Sequence, residues 1–174
     1  MENINRKQEM IDMYLQRAKE FRATPAIAFE YLEKAYDLGS VEACYQIGDC
    51  KINGLGTSKR KEQGIKYYYE AANKGHVKAS GILAVELLDI IRSKVAGINN
   101  GSAVIESNNT YSDMADLIVK AGVAKEFLDC LKFFDYAYDN GERVAKYYFD
   151  SVLNRDDWIK VARLVKDREL KEVA

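Results

Sequence analysis

The sequence holds one proline and one histidine among its 174 residues, three cysteines, and no apolar run of the roughly 18 residues that a membrane-spanning helix needs. Each scarcity excludes something. A lone His76 cannot form a histidine-rich metal cluster, and by itself it is a poor general base candidate. It follows a glycine and is expected to be an exposed turn residue. Cys44, Cys50 and Cys130 are odd in number and contain no CxxC, so neither a disulfide framework nor a zinc site is expected. Cys44 and Cys50, six residues apart on an expected helix, lie on different faces. Bias of charge is missing too: 26 basic residues meet 27 acidic ones. No concentrated basic face is available for nucleic-acid phosphates, and no polybasic stretch for anionic lipid. The start, MENINRKQEMIDMYLQ, lacks the basic and apolar segments of a secretory signal. The expected location is cytoplasmic, and the sequence is compatible with secretion by a route without a cleaved signal.

What is present is helix-forming. Proline is nearly absent and charged residues make up 30% of the chain, as exposed helix faces favour. Self-comparison then finds one pattern three times: an aromatic, alanine, glycine and alanine spaced by four. The residues are Tyr31, Ala35, Gly39 and Ala43; then Tyr67, Ala71, Gly75 and Ala79; then Phe133, Ala137, Gly141 and Ala145. The first two copies are offset by 36 residues, the next by 66. An aromatic and an alanine four apart share a helix face, and the alanine lets a neighbouring helix approach closely. Glycine ends the helix because it enters the left-handed conformation cheaply. The next helix begins near the following alanine. The unit is therefore a helix–turn–helix that buries its apolar face by stacking on its neighbours.

Reading outward places helices over about 4–22, 25–38, 41–53, 61–74, 77–94, 111–122, 124–140, 143–154 and 156–171, with no strand. Thr24 and Pro25 read as a cap and first-turn residue. The run NGLGTSKRKEQ reads as a glycine-and-charge loop, and Lys59, Arg60 and Lys61 as its solvated part or a contact for an acidic partner. Residues 95–110, rich in Asn, Gly and Ser, read as a loop. Together with the helix at 111–122 they form an insertion that accounts for the longer second offset. Asn100 and Asn108 stand in N-x-S/T triplets, read as chance occurrences. Trp158 is expected to close the final apolar face, or to anchor a partner. The paired aromatics Tyr67-Tyr68-Tyr69, Phe133-Phe134 and Tyr147-Tyr148 read as core at helical spacing.

The stretch Ala43–Gly75 resembles the Sel-one-like repeat, a relative of the tetratricopeptide repeat. Ala43, Ile47 and Gly48 match its opening, Gly54 and Gly56 its loop, and Tyr67, Tyr68, Ala71, Ala72 and Gly75 its second helix. Lys51, Thr57, Arg60 and Glu70 depart from the pattern's tyrosine, valine, aspartate and lysine. The resemblance implies an all-α fold: one α/α solenoid, a right-handed superhelix of three to four units, at about 4–39, 40–75, 76–141 (carrying the insertion 95–122) and 142–174. It also implies an adaptor that binds another protein rather than an enzyme, of a kind common among bacterial signalling, secretion and host-interaction proteins. A narrower form is an immunity protein that neutralises a toxin or effector. Nucleic-acid binding and catalysis are remote alternatives. The motif search supports this: no phosphate-binding, dinucleotide, zinc-protease or serine-hydrolase signature occurs. No cofactor, metal or membrane partner is expected, and no small-molecule ligand.

In tetratricopeptide-type arrays the first helix of each pair lines the concave side. The resemblance therefore implies groove positions at Glu42, Tyr45, Asp49, Ile52 and Asn53. Carried forward by the two repeat offsets, these become Lys78, Gly81, Val85, Leu88 and Asp89, then Val144, Tyr147, Ser151, Asn154 and Arg155. Tyrosine, aliphatics and scattered charge suit a protein groove with aromatic anchors and a polar rim. The insertion is the rival surface.

Overall fold

The computed structural model describes residues 2–98, 110–151 and 154–172, the side chains of 2–4, 149–151 and 172 excepted. The described residues are all-α, without strand: α1 (Glu2–Glu20), α2 (Pro25–Asp37), α3 (Val41–Asn53), α4 (Lys61–Asn73), α5 (Val77–Ile98), α6 (Tyr111–Lys120), α7 (Ala124–Asp139), α8 (Arg143–Ser151) and α9 (Arg155–Glu172). The chain divides into two compact units, Met1–Ser80 and Gly81–Ala174. Asn100 and Asn108 fall outside the described residues, as does most of the segment read as a loop. Its first residues are helical: α5 runs on to Ile98, four residues past the expected end.

In the first unit, Ala18, Phe29, Leu32, Ala35, Ala43 and Ile47 form one buried cluster, with Tyr14, Leu15, Tyr31, Tyr36, Cys50 and Tyr67 packed on it. The repeat alanines Ala35, Ala43 and Ala71 are wholly buried, as their tight-crossing role requires. The contact between α3 and α4, however, is made by two glycines. A Cβ added at Gly64 would lie 2.8 Å from the Gly48 carbonyl, and one at Gly48 would lie 2.7 Å from the Tyr68 ring. Bare backbone lets α3 and α4 meet.

Four of the turns share one mechanism. At Gly75, with φ +83°, the N–H donates to Ala72 O at 2.9 Å and the His76 N–H donates to Ala71 O at 3.0 Å. These two bonds are the Schellman pattern that satisfies the last carbonyls of a helix. Ser40 N–H to Ala35 O, and Glu142 N–H to Ala137 O, repeat it at 3.0 and 2.9 Å. So does the end of α6, where the Val123 N–H donates to Ile118 O at 3.2 Å. Ile118 there stands in the alanine's place.

Three of the four departures from the repeat pattern have structural partners. Lys51 Nζ donates to Thr57 Oγ1 at 2.8 Å, so the two substituted positions engage each other. Glu70 accepts from the Tyr36 hydroxyl at 2.9 Å and pairs with Lys74 at 2.7 Å. Arg60, where the pattern has an aspartate, leaves α4 without a side-chain cap. Thr24 occupies the cap position of α2, but its side chain makes no capping bond, contrary to expectation; Pro25 follows at the first turn. Gly56 brings the loop against the start of α2, where an added Cβ would lie 2.0 Å from Pro25 O.

In the second unit α5 is buried along Leu83, Ala84, Leu87, Leu88, Ile91 and Val95. Cys130 Sγ donates to Ala84 O at 3.2 Å. Trp158 is buried and stacks on Phe127 at 4.9 Å between centroids, so it closes this core and is no exposed anchor. Arg168 binds Asp116 and, at 2.9 Å, the Ser112 hydroxyl, tying α9 to α6.

Candidate functional site

An open groove of about 700 Å³ lies within the first unit. Four expected positions meet in it: Glu42, Tyr45 and Asp49 along α3, and Lys78 at the start of α5. They are spaced three and four apart on α3, hence on one face. Ala18, Pro25, Ala28, Leu32 and Leu55 add apolar surface, and Lys19 and Arg22 add charge from the end of α1.

Tyr45 is half-buried, its ring stacked on His76 at 4.6 Å and on Tyr68 at 5.8 Å. His76 is not the exposed turn residue expected. Its side chain is 14% exposed and both ring nitrogens are engaged. Nδ1 accepts the Ala79 N–H at 3.0 Å, so it carries no proton, and Nε2–H faces Glu42 Oε2 at 2.9 Å. The imidazole thus caps α5. Ser40 Oγ does the same for the Ala43 N–H at 3.1 Å, and Glu142 Oε2 for the Ala145 N–H at 2.9 Å. One repeat position performs one task with three chemistries. Glu42 also accepts from Gln46 Nε2 at 2.6 Å, and the His76 bond is the main cause that lowers its carboxyl to about 2. Asp49 accepts from the Tyr68 hydroxyl.

The remaining expected positions lie elsewhere. Ile52 packs over Gly64, the face toward α4. Asn53 is exposed and donates to Asp49 O at 3.0 Å. Leu88 is 1% exposed, and this corrects its assignment to a groove. The 36-residue shift holds for the start of α5, but this long helix is buried over a wider arc than α3. Gly81 is buried beneath Glu142, which also removes it. Val85 is half-buried, and Asp89 is exposed, 3.9 Å from Arg92. Val144 and Tyr147 are exposed, Tyr147 to 60%. The side chain of Ser151 lies outside the described residues. Asn154 and Arg155 have structural work: Asn154 Oδ1 accepts from Asp156 N–H at 3.0 Å, and Arg155 pairs with Asp135 at 2.8 Å and Asp139 at 3.3 Å.

All three cysteines are free. Burial pushes the Cys44 and Cys50 thiols up to about 11, and raises Cys130 as well. Among the described residues no group of three or more His, Cys, Asp or Glu could hold a metal ion, and no helix is long and apolar enough to cross a membrane.

Lys19, Arg22 and Leu55 were not legible as groove residues. The first repeat has the short turn Arg22–Thr24 after α1 in place of the glycine loop, and the positions carried over from α3 reach neither that turn nor the loop holding Leu55.

Comparison with known proteins places the Sel1 repeat family on residues 25–40 and 41–76. No curated protein matches the sequence. A solved structure, that of a protective antigen present in uropathogenic Escherichia coli strains and displaying an SLR fold, is similar at 17% identity with a TM-score of 0.39. The alignment covers 93% of this chain and 38% of that one, so the chain spans well under half of that protein's length.

Proposed function

We propose that this chain, a Sel1-like repeat protein through residues 25–40 and 41–76, is a non-enzymatic adaptor that holds a partner protein in the groove of its first unit. Sel1 repeats generally mediate protein–protein interactions. The observation that carries the reading is the convergence of Glu42, Tyr45, Asp49 and Lys78 on one open groove. Its apolar floor and charged rim are the composition of a protein-binding surface. A ring already stacked between His76 and Tyr68 loses little freedom on binding, which suits an anchor. Tyr147, Val144, Val85 and Asp89 are a secondary set on the second unit. Free, high-pKa thiols fit the reducing cytoplasm.

Affinity capture with quantitative mass spectrometry tests this reading. Wild type, Tyr45→Ala, Tyr147→Ala and a chain lacking the insertion are compared, each checked for helicity. Tyr45→Ala is expected to lose the captured protein while keeping its fold. Loss only on deleting the insertion would move the binding surface there. Full capture by all the variants would refute groove binding.

A further inference from the structure

We infer that the groove of the first unit is built for an acidic segment bearing a large apolar side chain; this rests on the adaptor reading and names the occupant it requires. The groove contains charge of both signs, but the two signs are not equally available. Glu42 has both carboxylate oxygens engaged, one by His76 and one by Gln46. Asp49 holds the Tyr68 hydroxyl. The cations are differently placed. Lys19 and Arg22 are exposed, and among the described residues no side-chain hydrogen bond or ion pair engages either head group. Lys78 is exposed as well, and its field reaches Glu42.

A basic segment would compete for Glu42 with His76 and Gln46, which already hold one carboxylate oxygen each. Any turning of Glu42 toward it would leave the Nε2–H of a ring only 14% exposed without its acceptor, and buried donors are costly to orphan. An acidic segment meets no such obstacle. Its carboxylates reach Lys19 and Arg22 without breaking a bond within the chain, and the guanidinium can hold one in a bidentate pair. The apolar requirement comes from Leu55, 49% exposed at the groove, with Leu32 and Ala18 beneath. Apolar contact supplies affinity, and the charged rim supplies selection and rate of encounter.

The test is selection of a random-peptide phage library on the full chain, followed by fluorescence anisotropy with synthetic copies of the winners. Selected peptides are expected to be net acidic with at least one Leu, Ile or Phe, and to weaken with added salt. The double reversal Lys19→Glu with Arg22→Glu, at exposed positions and checked for retained helicity, is expected to lower their affinity about tenfold or more. Basic or neutral winners, or acidic winners that bind the reversed chain equally well, would overturn the inference. If such winners still lose affinity on Tyr45→Ala, groove binding stands and only the chemistry of the occupant is wrong. If no peptide is selected, or none responds to Tyr45→Ala, both readings fall.

Discussion

His76 Nε2 lies 2.9 Å from Glu42 Oε2, joining the first residue after one repeat's turn to the first turn of the preceding helix pair. Because Nδ1 accepts the Ala79 N–H, the ring is the neutral Nε2–H tautomer and donates to the carboxylate. Glu42 is thereby lowered from 4.5 to about 2. A carboxyl lowered in the folded state adds stability that is fully present above its unfolded value and is lost as pH falls toward the folded one. The Glu42 contribution should therefore be intact above about pH 4.5 and fade between there and pH 2. Carboxyl NMR should place the wild-type midpoint near the lower end. In His76→Ser the cap should survive, as Ser40 does this work one unit earlier, and Glu42 should titrate higher than in the wild type, with Gln46 and Lys78 still acting on it. An ordinary midpoint in the wild type would contradict the pairing.

Gly75→Val should cost more than about 1 kcal/mol, because a β-branched residue is penalised at positive φ. The backbone there is at +83°. Thermal unfolding measures the loss, and Gly75→Asn should lose less, since asparagine tolerates this conformation. Equal stability of the valine and asparagine variants would mean that the turn rearranges.

Two glycine-to-alanine changes should have opposite signs. At Gly64 the new methyl would press on the Gly48 carbonyl and Ile52, so α3 and α4 must separate, at about 1–3 kcal/mol. At Gly97, inside α5, nothing lies within 4 Å of an added Cβ, and alanine should stabilise by up to about 1 kcal/mol. Denaturant midpoints of both variants check this, and a loss at Gly97 would show that α5 is not helical there.

Trp158→Ala should destabilise the second unit by about 3–5 kcal/mol, since the ring is buried against Phe127. As the sequence has one tryptophan, its emission in the wild type should be blue-shifted and move red on unfolding. Red-shifted emission from the native protein would place the ring in water.

The helices were legible because each carries an apolar stripe at 3.6-residue spacing and most turns carry a glycine. Gly39, Gly75 and Gly141 announced their turns, whereas Gly122 did not, because Met114 and Ile118 stand where the pattern has an aromatic and an alanine. Four of the groove's thirteen lining residues were also legible: the repeat resemblance implies Glu42, Tyr45 and Asp49, and Lys78 follows by the offset. Tertiary packing hid the rest. Leu88 is carried inside because α5 is covered on more of its surface than α3. The role of His76 depends on Glu42, 34 residues away, and spacing within one helix gives no sign of it.

Site-specific photo-cross-linking tests the adaptor claim most directly. A benzoylphenylalanine is placed at Gln46 or Leu55 in the groove, at Glu30 and Lys66 on exposed faces of α2 and α4, and at Lys120 at the end of the insertion. The chain is then irradiated in its native cells. Adducts of one discrete partner mass at Gln46 and Leu55, and at none of the other three, are the predicted result. Adducts confined to Lys120, or none at the groove positions, would contradict it.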